Sequence, residues 1–196
     1  MPNSSEISVD DVRRLQAGDR EAAERLGGHA CRLALRTAGA ILSSRDQAAD
    51  VAQDVAIDVL GSIGKLREPQ AFEAWVHRIT VRHTLRKIRR RRMARAAETP
   101  LGLVAESEEP SAPDLPDVTG ALAARDALRR ALAQLPPKQQ IALALRYVHD
   151  RSDVQIAEAL GCRVGTAHAL LSRGRAALRQ DPRLADFAPE ISGDRA

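Results

Sequence analysis

Aromatic residues are almost absent: Phe72, Trp75, Tyr147 and Phe187 are all that the 196 residues contain. An interior short of large rings must be filled by Ala, Leu, Val and Ile, a mixture suited to helices that approach closely through small side chains. Cysteine is equally scarce. Cys31 and Cys162 stand far apart in no C-x-x-C pair, which excludes a disulfide framework and leaves two reduced thiols as the expectation. Met1 to Val12 are polar and acidic and lack the apolar core of a signal peptide, and no apolar run approaches the ~18 residues of a membrane span. A cytoplasmic protein without membrane insertion is expected. Enzyme signatures are missing too. His29, His77, His83, His149 and His168 form no H-E-x-x-H, and neither a G-x-x-x-x-G-K-[ST] loop nor a G-x-S-x-G elbow occurs. No catalytic residue, metal or cofactor is expected.

Hydrophobic residues make up 44% of the chain, enough for packed cores. A formal charge of +4 and a pI near 9.7 favour an anionic partner. The placement of that charge is more informative than its sum. From Arg78 to Arg95 the chain is densely basic, with an unbroken Arg89-Arg90-Arg91-Arg92, whereas from Ala97 to Asp117 it has neither Lys nor Arg. That second stretch carries Glu98, Glu106, Glu108, Glu109, Asp114 and Asp117 among four prolines. Like charge and proline spacing disfavour both helix and core, so 97–117 reads as a flexible acidic linker. The expected architecture is all-α: a helical unit over 8–96, the linker, a second unit over 118–180 and a flexible tail over 181–196.

In the first unit the apolar period is helical. Ser8 with Asp11 spells a capping box, a long helix is expected from Asp19 to Ala40, and Ser44 with Gln47 opens another. Ala48, Val51, Val55 and Val59 form one stripe of that helix, flanked by an acidic ridge of Asp50, Asp54 and Asp58. Gly61 to Gln70 reads as a loop, followed by a helix from Gln70 or Ala71 into the arginine run. In the second unit Thr119 to Leu135 is helical, Pro137 suits the first turn of the next helix, Ser152 with Gln155 opens a short one, and Gly161 ends it. The last helix is expected from Val164 to Gln180.

A short capped helix, a glycine turn and a second helix are the signature of a helix-turn-helix, whose second helix enters the DNA major groove. Ile156, Ala157 and Leu160 give the first helix an apolar face. Val164, Ala167, Leu171 and Leu178 give the second its own, with Gly174 permitting close approach. The opposite face presents Thr166, His168, Ala169, Leu170, Arg173 and Arg175, with Arg163 at the helix start. The basic helix extends its charge back through Arg78, Arg82, Arg86 and Lys87 to suit phosphate binding.

Several strings then stand in a recognisable order. Gly18-Asp19-Arg20-Glu21-Ala22, Asp50-Val51-Ala52-Gln53-Asp54 and Phe72-Glu73-Ala74-Trp75-Val76 with Arg78-Ile79 precede the linker. Leu135-Pro136-Pro137-Lys138-Gln139, Leu145-Arg146-Tyr147, Ile156 to Gly161, Val164-Gly165-Thr166 and Arg173-x-Arg175 follow it. Together they resemble an extracytoplasmic-function sigma factor of the sigma-70 family, carrying regions two and four only. The resemblance implies an RNA polymerase sigma factor that directs the core enzyme to promoters and assists melting of the −10 element. It further implies that Asp50, Gln53 and Asp54 dock on the clamp of the largest polymerase subunit, and that region four meets the flap of the second largest. Lys65, Arg67 and Gln70 of the loop, with Arg78, Arg82, Arg86, Lys87, Arg89 and Arg90, would hold the −10 strand. Arg163, Thr166, His168, Ala169, Leu170, Arg173 and Arg175 would read the −35 duplex. An anti-sigma factor is a further implied partner.

The chain departs from the family pattern informatively. Arg82 and Arg86 replace a usual Asn and Asp, adding positive charge near the melted strand. His168 and Leu170 replace cations of the recognition helix, Arg163 replaces a Ser cap, and Ala56 and Leu60 replace a Phe and a Trp. Binding is therefore expected to lean on region two. The alternative reading is an autonomous helix-turn-helix regulator that binds duplex operator DNA without polymerase.

Overall fold

The computed structural model describes residues 7–42, 44–98 and 119–187, and among them eight α-helices, three short 3-10 segments and no strand. Helix α1 (Val9–Gln16) begins with the expected capping box, in which the Asp11 N–H donates to Ser8 Oγ and the Ser8 N–H to Asp11 Oδ2, both at 3.1 Å. Asp19 caps α2 (Arg20–Ile41), its carboxylate accepting from the Ala22 N–H at 2.9 Å. Only half of the next box forms. Ser44 Oγ accepts from the Gln47 N–H at 3.3 Å at the start of α3 (Arg45–Ser62), while Gln47 Oε1 is buried without a partner among the described residues. The expected loop from Gly61 is shorter, because α3 continues to Ser62 and two 3-10 turns, Ile63–Lys65 and Pro69–Ala71, fill most of the rest. Helix α4 (Phe72–Glu98) then carries the arginine run and extends two residues into the stretch expected as linker, whose remaining residues lie outside those described.

Leu26, Ala30 and Ala34 of α2, Val51, Val55 and Val59 of α3, and Phe72, Val76 and Ile79 of α4 fill one core. All four residues of the predicted α3 stripe are buried, so the 3.6-residue period located this face correctly. Trp75 is half-buried against the core beside Phe72, with ring centroids 6.2 Å apart.

The second half contains α5 (Thr119–Gln134), α6 (Pro137–His149), α7 (Asp153–Leu160) and α8 (Val164–Arg179). Pro137 occupies the first turn of α6, where a missing N–H costs nothing. Gln140, 3% exposed, donates back to the Leu135 and Ala133 carbonyls at 2.8 and 3.3 Å and so ties α5 to α6. Ile141, Leu145, Ile156, Ala167 and Leu171 form the apolar centre. A Cβ built on Gly174 would lie 3.0 Å from Leu143 Cδ1, so α6 and α8 touch where only hydrogen fits well. Gly174→Val is expected to lose about 2 kcal/mol of stability through overpacking, seen as a lower urea midpoint. The tail is more ordered than expected at its start: Pro182–Phe187 form a 3-10 segment against α5 and α8, with Leu184 buried.

The two halves touch each other. Helices α2 and α4 pack on α6, and α4 packs on α7. Arg92 of the arginine run donates to the Leu135 carbonyl at 2.9 Å, joining the end of α4 to the α5–α6 corner.

Candidate nucleic-acid interface

Helices α7 and α8 and the turn between them form a helix-turn-helix. Ser152 and Gln155 cap α7 reciprocally, the Gln155 N–H donating to Ser152 Oγ at 3.3 Å and the Ser152 N–H to Gln155 Oε1 at 3.0 Å. Gly161 ends the helix in the left-handed region at φ 62°, and the Cys162 N–H bonds back to the Ala157 carbonyl at 2.9 Å. This closure reverses the chain within three residues and starts α8 at Val164. Arg163 stands at the N-cap without a side-chain bond to the helix, as expected where Ser is replaced.

Ala167, Leu171 and Gly174 face the core from α8, and Leu178 is half-buried. Val164, assigned to the same apolar face, is instead 45% exposed, because the first residue of the helix overhangs the turn. On the opposite face Thr166, His168 and Arg173 are exposed, and Arg175 and Ala169 are half-exposed. Leu170 is partly buried against the core, which limits what it can offer a thymine methyl. His168 Nδ1 lies 3.1 Å from Asp153 Oδ2, and Asp153 also pairs with Arg146, so the histidine is tethered to α7.

The basic helix presents a second surface. Arg78, Arg82, Arg86, Arg89 and Arg90 are exposed along α4, and Lys65, Arg67 and Gln70 are exposed on the turns before it. Some of this charge meets the acidic ridge of α3. Lys87 Nζ donates to Asp50 at 3.0 Å, and Asp58 accepts from Arg82 and sits against His83 Nε2, both at 2.7 Å. The His83 contact, then Arg82, hold the Asp58 carboxyl below its usual range. Asp50, Gln53 and Asp54 remain exposed on α3, Asp50 bonded to Lys87 and Asp54 3.9 Å from His83 Nδ1 across the groove to α4, and Ile57 beside them is 62% exposed.

Two family models match the chain: Sigma-70 region 2 over 26–93 and Sigma-70, region 4, over 125–178. The ECF RNA polymerase sigma factor SigM of Mycobacterium tuberculosis is 32% identical over 163 residues, which cover 83% of this chain and 78% of that protein. The chain belongs to the ECF sigma factors. SigW of Bacillus subtilis, another ECF sigma factor, is 29% identical over 149 residues, covering 73% of this chain and 79% of SigW. Among solved structures, CnrH in complex with the cytosolic domain of CnrY superposes with a TM-score of 0.59 at 18% identity, over 97% of this chain and 100% of that one, a likeness of fold.

The protein is thus an RNA polymerase sigma factor, an initiation factor whose partners are RNA polymerase and promoter DNA. Family membership favours this over the autonomous regulator. No described helix is long and apolar enough to cross a membrane, and no group of three or more His, Cys, Asp or Glu among the described residues could hold a metal ion. Cys31 and Cys162 are free thiols.

One side-chain cluster escaped the sequence reading. His29 of α2 lies 2.7 Å from Glu73 Oε1 of α4, and Glu73 also pairs with Arg151 from the turn after α6. Arg151 Nε donates to His77 at 3.0 Å, the His77 and His149 rings meet edge to face at 5.0 Å, and His149 Nε2 lies 2.8 Å from Thr37 Oγ1. The His29 contact holds Glu73 down at about 2, while burial pushes His77 to about 3 and His149 to about 4. These residues come from three distant stretches, and no local spacing announces them. Beside this cluster, Arg78 shares a cleft of 670 Å³ with Val154, Glu158, Cys162, Arg163 and Val164, so a candidate −10 residue faces the start of the recognition helix.

Proposed function

We propose that this sigma factor divides its work between two units, region two over 8–96 and region four over 118–180, joined by the acidic stretch 97–117. Asp50, Gln53 and Asp54 dock on the clamp of the largest subunit of core polymerase, and region four docks on the flap of the second largest. The exposure of Asp50, Gln53 and Asp54 on α3 supports the clamp assignment. Lys65, Arg67, Gln70, Arg78, Arg82, Arg86, Lys87, Arg89 and Arg90 hold the −10 strand after melting. Extruding a base costs a few kcal/mol, which cationic and stacking contacts can offset. Arg163, Thr166, His168, Ala169, Leu170, Arg173 and Arg175 approach the −35 duplex.

The observation that carries this reading is the pair of family matches on either side of the acidic stretch, each coinciding with one exposed basic surface. The protein acts in the cytoplasm, where its polymerase works. An anti-sigma factor covers the docking faces when the factor is idle; the CnrH complex with a cytosolic domain of CnrY is a precedent for such a partner. Run-off transcription with purified core polymerase over a genomic fragment library tests the assignment and reveals the promoter. Discrete transcripts beyond those of core alone are expected; their absence with a folded protein would overturn it.

A further inference from the structure

The contact between the two helical units contains an imidazole that must be neutral. His77 of α4 is 3% exposed, and its Nε2 accepts the Nε–H of Arg151 at 3.0 Å. A guanidinium only donates, so this nitrogen keeps its lone pair and the ring proton sits on Nδ1, which is buried without a partner among the described residues. A second proton would have to enter on Nε2, against the hydrogen and positive charge of Arg151. His149, at the end of α6, is partly buried and packs edge to face on His77 with ring centroids 5.0 Å apart. Thr37 Oγ1 donates to the Leu33 carbonyl at 3.0 Å, so at 2.8 Å it accepts from His149 Nε2–H.

Around the two rings Arg36 and Arg151 outnumber the one carboxylate, Glu73. Helix α2 supplies Arg36, which donates to the Val148 carbonyl, and His29; α4 supplies Glu73; the turn after α6 supplies Arg151. Glu73 is the one anion facing the cluster among these groups, and it is already engaged by His29 and Arg151. Asp150 adopts the left-handed conformation at φ 50°, which turns the chain so that Arg151 points back at α4.

We propose that His77 and His149, with Arg151, form a proton-operated latch that holds the two halves together when both rings are neutral and releases them when the rings take up protons.

The sign follows from linkage. Both histidines have depressed values in the closed form and return to about 6.5 once exposed, so closure is fully favoured above that value and is lost as pH falls below it. Each ring contributes roughly 10-fold between pH 7.5 and 5.5, together about 100-fold in the ratio of open to closed molecules. Glu73, held near 2, stays ionised across this interval and does not confuse the result.

Release has a consequence that rests on the sigma factor assignment. Elements centred near −10 and −35 lie on the order of 85 Å apart along B-DNA at 3.4 Å per base pair. With α4 packed on α7, and Arg78 and Arg163 in one cleft, the closed form cannot reach both. The latch therefore separates a compact form from the one that engages a promoter.

Small-angle scattering on the full chain tests the latch without polymerase or DNA, so its failure would be distinct from a failure of the sigma factor assignment. Between pH 7.5 and 5.5 the radius of gyration is expected to rise by roughly 3 Å or more above its value at pH 7.5, against a scale of ~16 Å for compact chains of this length, with helical circular dichroism unchanged. In the double variant His77→Gln, His149→Gln the radius should no longer respond to pH, whether that variant is compact or open. Arg151→Gln, which retains both histidines, should weaken or remove the closed form at pH 7.5. A wild-type radius that does not change, an expansion accompanied by loss of helix, or an unaltered pH response in the double variant would each overturn the proposal.

Discussion

Alanine at Arg78, Arg82 and Arg86 together is expected to lower promoter-dependent run-off transcription by about 100-fold, and to flatten the salt dependence of promoter-strand binding. All three side chains are exposed on α4, so their removal leaves the core intact. Arg78 and Arg86 carry no ion pair to a described residue and are available to phosphate. At about 1.5 kcal/mol for each charge-assisted contact they account for about 3 kcal/mol. Arg82 adds less, because it must first leave Asp58, 2.7 Å away at the protein surface. Three single-strand phosphate contacts make the slope of log K against log salt shallower by about 2. The paired change Arg173→Ala, Leu170→Ala should cost less than tenfold, since Leu170 is partly buried and His168 is held by Asp153. The opposite ranking, measured at two salt concentrations, would place the main promoter contact in region four.

The second large effect concerns stability. Leu145→Ala should cost about 3 kcal/mol, the middle of the range for emptying a packed leucine site, read as a fall in the urea midpoint of helical signal. Leu145 is 0% exposed between α6 and the helix-turn-helix, beside Ile141 and Ile156. Its neighbours in the same motif behave differently: Arg146 pairs with Asp153 at the start of α7, and Tyr147 is 65% exposed. Tyr147→Ala should therefore leave the midpoint nearly unchanged. Equal losses at the two positions would show that the motif acts as one packed unit.

Local chemistry explains why much of this fold was readable. A serine with an acid or amide three residues on, a proline in the first turn and a left-handed glycine each act through bonds spanning a few residues. They located the starts of α1, α6 and α7 and the end of α7. The apolar stripe of α3 was equally visible, because helical period and burial share one face. Errors arose where packing outweighed local preference. Val164 sits on the apolar face of its helix but overhangs the end of the core, and Pro182–Phe187 order against α5 despite a proline-bearing sequence.

The candidate promoter contacts were legible as residue types and less so as states of charge. Arginines along α4 announce an anionic partner whatever the tertiary structure. That Lys87 and Arg82 are shared with Asp50 and Asp58 follows only from α3 lying beside α4, which brings charges of opposite sign within 3.0 Å.

The sequence by itself determined the helices, their caps, the helix-turn-helix and the family, because those depend on interactions over a few residues and on ordered motifs. Only the tertiary structure decided that the two halves meet, and that His77, His149, Arg151 and Glu73 meet between them. The reason is physical: an imidazole's proton affinity depends on its burial and on the charges around it, and those are set by residues more than seventy positions away in the chain.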